Sequence, residues 1–159
     1  YTREAFLLLT EEIRKKIKKC SITTDIIVGF PGEEEKDFYD TLDMIEKIRF
    51  DRAFTFIYSK REGTKSADFK DNMPLSVKKA LFTELVNVQN KISMEKNQSK
   101  IGCKYKVLLE GNGPRCELEG RLEDNTLVNL KYDDDELIGK LIDVEITEAK
   151  SFYLIGKKV

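Results

Sequence analysis

The apolar residues of this chain change their period once, at Gly102, and that change constrains the fold more than any other feature. Upstream they recur every three to four residues or run continuously, and downstream they alternate with polar residues. Spacing of the first kind suits amphipathic helices and buried strands, and alternation suits half-buried strands. A helix-period pattern does not settle as a strand, nor the reverse. Two architectures must therefore follow one another along the chain.

In the upstream part, Ala5, Phe6, Leu8, Leu9, Ile13 and Ile17 predict a helix over 2–19. Thr2 suits its N-cap, and Lys15, Lys16, Lys18 and Lys19 would complement the dipole in the last turns. Residues 22–29 are largely β-branched and too short for a helix, which predicts a strand buried on both faces of a parallel sheet. Pro31-Gly32 breaks the chain, and Glu33-Glu34-Glu35 load acid onto the start of a helix over 33–49 with Phe38, Leu42, Ile45 and Ile48 on one face. A second buried strand is expected over 51–58. Helix, strand, helix, strand is the order of βα units in a parallel α/β sheet. Two strands neither close a barrel nor complete a doubly wound sheet, so residues 1–73 are expected to be the tail of an α/β domain. The opening Tyr1-Thr-Arg-Glu4 suits neither a translation start nor a signal peptide, in keeping with a piece of a longer chain.

Residues 59–73 read as irregular, and Pro74 opens a helix over 74–98 with Leu81, Leu85, Val88 and Ile92 inward. Its neighbourhood is basic: Lys78, Lys79, Lys91, Lys96, Lys100, Lys104 and Lys106 stand against Glu84 and Glu95. Beyond it, short strands are expected over 105–110, 116–122, 126–132, 141–147 and 152–155, separated by glycine-rich or acidic turns. Such spacing suggests a small antiparallel barrel of the OB-like kind over 99–159.

Composition removes many functions. The 159 residues carry 28 Lys or Arg, 29 Asp or Glu and no His, so no histidine serves as a general base or metal ligand. No run of about 18 apolar residues suggests a membrane span. Cys20, Cys103 and Cys116 are widely spaced, which fits a reducing, cytoplasmic setting and no cluster or other metal held by this chain alone.

Three segments are candidates for chemistry. Asp25-Ile-Ile-Val-Gly-Phe-Pro-Gly-Glu33 places a glycine-containing turn at the carboxyl edge of a strand, where parallel α/β folds bind ligands and a helix N-terminus favours anions. Phe54–Thr64 ends a strand with Tyr58, Lys60 and Arg61, able to meet a phosphate or carboxylate. In the barrel, Arg121, Asn125, Asn129, Lys131 and Lys140 lie near strand ends and could meet a nucleic-acid backbone. Residues 99–159 nevertheless hold ten basic and twelve acidic side chains, so the helix must supply the positive charge that RNA binding asks for.

Taken in order, several stretches closely resemble the C-terminal half of a methylthiotransferase of the radical-SAM superfamily. They are Tyr1–Glu4, Thr23–Glu33, Glu35-Lys-Asp-Phe38, Phe50–Thr64 and Gln89–Gln98. The terminal Gly120-Arg121, Asn125-x-Leu-Val128, Leu137-Ile-Gly-Lys140 and Val144-x-Ile-Thr-x-Ala149 are similar to the TRAM domain of that family. The wording is closer to the tRNA-modifying branch than to the branch acting on a ribosomal protein, and a non-catalytic RNA-binding module is the alternative of another class.

The resemblance implies an α/β remnant, the last βα units of a partial radical-SAM barrel over 1–73, a connecting helix over 74–98 and a TRAM barrel over 99–159. It implies S-adenosylmethionine and two 4Fe-4S clusters in the full-length enzyme, an electron donor, and the anticodon stem-loop of tRNA as partner. Reductive cleavage of S-adenosylmethionine would yield a 5'-deoxyadenosyl radical, and a methylthio group would be placed on C2 of N6-isopentenyl-adenosine. Gly29, Pro31, Gly32, Glu33, Phe56 and Tyr58 would line the cofactor site, and Arg61, Lys100, Arg121, Asn125 and Lys140 would meet RNA. No residue here takes a catalytic role, and the piece alone is expected to be inactive because the cluster cysteines are absent. Leu122-Glu-Asp124 and Thr126 replace residues that are often basic in the family. A strand edge left open by the incomplete sheet is expected to favour self-association.

Overall fold

Thr2 starts the first helix, α1 (Arg3–Lys16), by accepting a hydrogen bond from the Ala5 amide at 3.3 Å. The computed structural model describes residues 1–113, 118–131 and 135–159. The helix is shorter than its apolar pattern predicts. Ile17 has extended backbone and Lys19 a positive φ of 61°, so Lys18 and Lys19 fall outside and Arg14, Lys15 and Lys16 supply the last-turn cations. Arg14 is drawn away from solvent. Its guanidinium donates to the carbonyl oxygens of Ile48 and Arg49, at the end of α2 (Glu35–Ile48), where helical carbonyls lack partners.

Between these helices runs β1 (Thr23–Val28), which pairs in parallel with β2 (Arg52–Ile57) from Thr23↔Arg52 to Val28↔Ile57. One face of this two-stranded sheet is covered. Ile26 and Val28 pack with Phe6 and Leu7 of α1, Phe38, Leu42 and Ile45 of α2, and Leu81 and Leu85 of α3 (Leu75–Gln98). The other face is open, contrary to the expectation that both strands are buried on both sides. Ile27, Phe54 and Phe56 are 51%, 49% and 54% exposed, and Asp25 shares their face. The physical reason is alternation. Successive side chains point to opposite faces, and the helices lie against the Ile26–Val28 face alone.

The chain divides into two compact units, Tyr1–Lys18 with Ile22–Ile92 and Lys19–Ser21 with Ser93–Val159, the division falling inside α3. The polar residues of this helix's second half have structural work within their own units. Gln89 donates from Nε2 to the Phe50 carbonyl at 2.9 Å in the first unit, and Asn97 donates from Nδ2 to the Lys150 carbonyl at 2.7 Å in the second.

In the second unit, β3 (Lys104–Asn112), β4 (Leu118–Arg121), β5 (Leu127–Leu130), β6 (Leu141–Ala149) and β7 (Tyr153–Lys158) close a barrel in the order β3-β4-β5-β7-β6. Its interior is filled by Val107, Leu109, Leu118, Leu122, Val128, Leu130, Val144, Ile146 and Leu154. The small closed barrel is as expected, but it is not wholly antiparallel: β5 and β7 run parallel. Parity forces this. Strands that reverse at every neighbour return to their starting direction only if their number is even, and five is odd. Gly120 is needed for closure, because a Cβ there would overlap the Leu108 carbonyl and the Val107 side chain. The start of the expected 116–122 strand, with Cys116, and part of the acidic 133–136 turn lie outside the described residues.

Candidate functional site

Two places gather the candidate residues, one in each unit. In the first unit the Gly29–Glu33 turn leaves the carboxyl end of β1. Gly29 and Gly32 take φ of 75° and 92°, a region other residues enter only with strain. Gly29 has a second requirement, since a Cβ there would lie 2.5 Å from the Lys78 stem. Pro31 is buried. Glu33 is not part of α2. Its carboxylate accepts hydrogen bonds from the Gly29 amide and, at 3.1 Å, from the Phe30 amide. The Glu33 amide donates to the Phe30 carbonyl at 2.9 Å, and the Glu34 amide donates to Asp37 Oδ2 at 2.9 Å. These amides are therefore spent on the turn itself. Two of the donors that the sequence leaves open to an anion, the Gly29 and Phe30 amides, are taken by a glutamate that reaches back from four residues beyond Gly29.

What the turn presents is an aromatic wall. An open pocket of about 590 Å³ is lined by residues including Asp25, Ile27, Phe30, Phe56, Tyr58 and Arg61. Phe30 packs edge-on to Tyr58 with ring centroids 5.2 Å apart, and the Tyr58 hydroxyl donates to the Ser66 carbonyl at 3.0 Å. Phe56, Tyr58 and Arg61 all line this pocket.

Lys78 is the residue that sequence reasoning missed. It is 3% exposed, with its stem against Gly29, and its ammonium donates to Asp71 Oδ2 at 2.6 Å and lies 5.4 Å from the Tyr58 ring centroid. The hydrogen bond from Lys78 holds the Asp71 carboxyl below its usual range. The signal was present: Lys78 falls in helical register with Leu81 and Leu85 on the inward stripe, where a lysine is out of place unless paired.

In the second unit, Lys106, Leu108, Glu110, Arg121, Leu122, Glu123, Asn125 and Leu141 line a groove of about 480 Å³. Arg121 and Asn125 meet directly, Arg121 Nη1 donating to the Asn125 carbonyl at 3.3 Å. Lys140 is exposed and immediately precedes Leu141. Lys100 is committed elsewhere. Its ammonium donates to Asp124 Oδ2 at 2.5 Å and to Thr126 Oγ1 at 2.9 Å. Burial pushes the Asp124 carboxyl up, but the bonds from Lys100 and Thr126 outweigh it and hold the group below its ordinary value. Asn129 sits mid-strand in β5 and Lys131 just beyond it, neither among the groove's lining residues.

Among the described residues no cluster of three or more Cys, Asp or Glu could hold a metal ion, and no helix is long and apolar enough to cross a membrane. Cys20 and Cys103 are free thiols.

Comparison with known proteins supplies a frame for both places. Residues 98–159 match the TRAM domain family. Over 158 residues the chain is 51% identical to the tRNA-2-methylthio-N(6)-dimethylallyladenosine synthase of Carboxydothermus hydrogenoformans, covering 98% of this chain and 36% of that protein. The proteins of the same name from Caldicellulosiruptor saccharolyticus and Acetivibrio thermocellus are 45% and 46% identical over all of this chain and 34% and 33% of their own lengths. The chain spans about one third of the length of the curated relatives it matches.

Proposed function

We propose that this chain, which belongs to the family of the tRNA-2-methylthio-N(6)-dimethylallyladenosine synthases, is the part of such an enzyme that helps enclose the cofactor and holds the tRNA. The observation that carries the reading is the open apolar face of Ile27, Phe54 and Phe56 beside the Gly29–Glu33 turn. In the reading, residues 1–73 are the last βα units of a partial radical-SAM barrel, and strands elsewhere in the whole protein continue the sheet so that this face turns inward. Residues 74–98 are the connecting helix and 99–159 the TRAM barrel.

The residues present fit one implied group and not the other. Phe30, Phe56 and Tyr58 offer aromatic and apolar surface suited to the adenosine of S-adenosylmethionine, with Gly29, Pro31, Gly32 and Glu33 fixing the turn beneath. The cysteines do not fit a cluster, since no grouping of ligands exists among the described residues, so both 4Fe-4S clusters and the electron donor would engage other parts of the protein. When bound, the cofactor supplies the radical chemistry and the methyl group. This chain's own work is to position it: Glu33 holds the turn closed, and Lys78 ties the turn to Asp71 and the 59–73 segment. Arg61, Lys100, Arg121, Asn125 and Lys140 are the proposed RNA contacts in a cytoplasmic tRNA-modifying enzyme. The substrate is N6-isopentenyl-adenosine beside the anticodon, methylthiolated at C2.

The whole protein, prepared without oxygen, should carry about eight irons per chain, as two four-iron clusters require. About four irons would leave a radical-SAM enzyme of different chemistry, and none would leave an RNA-binding module. In the 159-residue chain, Arg121→Ala or Lys140→Ala should weaken binding of an anticodon stem-loop without disturbing the fold; unchanged affinity and salt slope remove both as phosphate contacts. The chain alone should also self-associate through its open sheet, giving a concentration-dependent sedimentation coefficient that Phe56→Asp suppresses.

A further inference from the structure

Arg121 already has a carboxylate partner in the barrel groove. Its Nε donates to Glu110 Oε2 at 3.0 Å, across the β3–β4 pair, while Nη1 donates to the Asn125 carbonyl. The two side chains keep 35% and 43% of their surface in water, so the pair is weak in the way solvated ion pairs are. Its position matters more than its strength. A guanidinium takes a carboxylate and a phosphate through the same planar set of N–H donors, so one excludes the other at the same edge. The groove is otherwise balanced: Lys106 is held by Asp143 at 3.3 Å, and Glu123 adds a second acid to the lining. Leu108 and Leu141, opposite one another on β3 and β6, give it an apolar floor.

We propose that Glu110 limits the barrel's affinity for RNA by occupying the Nε donor of Arg121, on the edge that a backbone phosphate would use. The proposal rests on the reading of this groove as an RNA surface and adds to it a residue that opposes binding. Glu110 acts as an internal stand-in for phosphate, so RNA must exchange with it rather than meet a bare cation. Binding through Arg121 then releases a carboxylate instead of counterions, and the salt dependence is shallower than the number of cations suggests.

The test uses the 159-residue chain and a fluorescently labelled RNA hairpin titrated from ~50 to ~200 mM salt. Glu110→Gln keeps the side chain's size and removes its charge. Glu148→Gln is the control: it makes the same charge change on β6, at a residue paired with Lys150 and outside the groove. Glu110→Gln should tighten binding about two- to fivefold, the range of one surface ion pair, and steepen the salt slope by up to about one phosphate's worth. Glu148→Gln should do clearly less. In an Arg121→Ala background, Glu110→Gln should do no more than Glu148→Gln, because the partner it restrains is gone. Equal gains from the two glutamine variants, or a gain that survives in the Arg121→Ala background, overturn the proposal in favour of a general charge effect. If wild type binds and Glu110→Gln does not improve it, the proposal falls and the RNA surface stands. If no variant binds at ~50 mM salt, both fall. Thermal midpoints and far-ultraviolet circular dichroism of each variant confirm that binding is compared among folded chains.

Discussion

The two strands of the first unit and the five of the second use the same residues to opposite effect. In the barrel, each inward Leu, Ile or Val meets others across a closed interior, and Leu109, Ile146 and Leu154 are almost wholly buried. In the β1–β2 sheet, Ile27, Phe54 and Phe56 have the same apolar character and remain half exposed. A closed sheet supplies its own second layer, whereas an open one must borrow it from another part of the molecule or another molecule. Apolar content alone therefore does not tell which strands are core.

The largest break in that comparison comes from truncating one residue in each place. Leu109→Ala should cost about 2–5 kcal/mol, as for a buried leucine that leaves a cavity, whereas Phe56→Ala should stay within about 0.5 kcal/mol, as at an exposed position. Urea unfolding of the 159-residue chain, at concentrations where it sediments as a monomer, measures both, and comparable losses would mean that the sheet's open face is covered within the chain itself. A middle-sized effect distinguishes the turn glycines. Gly29→Ala meets both a left-handed backbone and the Lys78 stem and should lose about 1–3 kcal/mol. Gly32→Ala meets open space and should lose less, about 1 kcal/mol for backbone strain alone. Equal losses in thermal melts would show that Lys78 yields freely.

The smallest effect is one of pH. Asp124 has a folded-state pKa below its unfolded one, so its pairing with Lys100 stabilises the barrel above the unfolded value and is lost as pH falls through the folded value. Asp124→Asn should be less stable than wild type near neutrality, and the two should converge as the solution is acidified below about pH 4. Hydrogen exchange of the β4 and β5 amides reads this directly; a gap that persists in acid would mean that the pair acts through packing rather than charge.

The sequence made the element order legible because helices and strands differ in period, and Gly102 marks the change. Thr2 as a cap, the Leu81–Leu85–Ile92 stripe and the small closed barrel were readable for the same reason. What was not readable depends on partners distant in sequence. Whether Ile27 is buried depends on what faces it, and β-branched content is silent on that. Glu33 looked like helix-start acid, yet its reach back to Gly29 is a matter of turn geometry. Lys100 and Arg121 counted as positive charge, but their worth to a ligand depends on Asp124 and Glu110, which lie 24 and 11 residues away. The parallel β5–β7 pair needed only the parity of the strand count, and the expectation of an antiparallel barrel overlooked it.

That parallel pair also sets a timetable. β5 ends at Leu130, and the strand that seals its free edge does not begin until Tyr153, after β6 has been laid down between them. Until residues 153–158 have been made, the β5 edge has no parallel partner and the interior lacks Leu154. Only then can loop closure be repaid by ladder bonds and burial together. In this topology the barrel cannot close before its last strand is present.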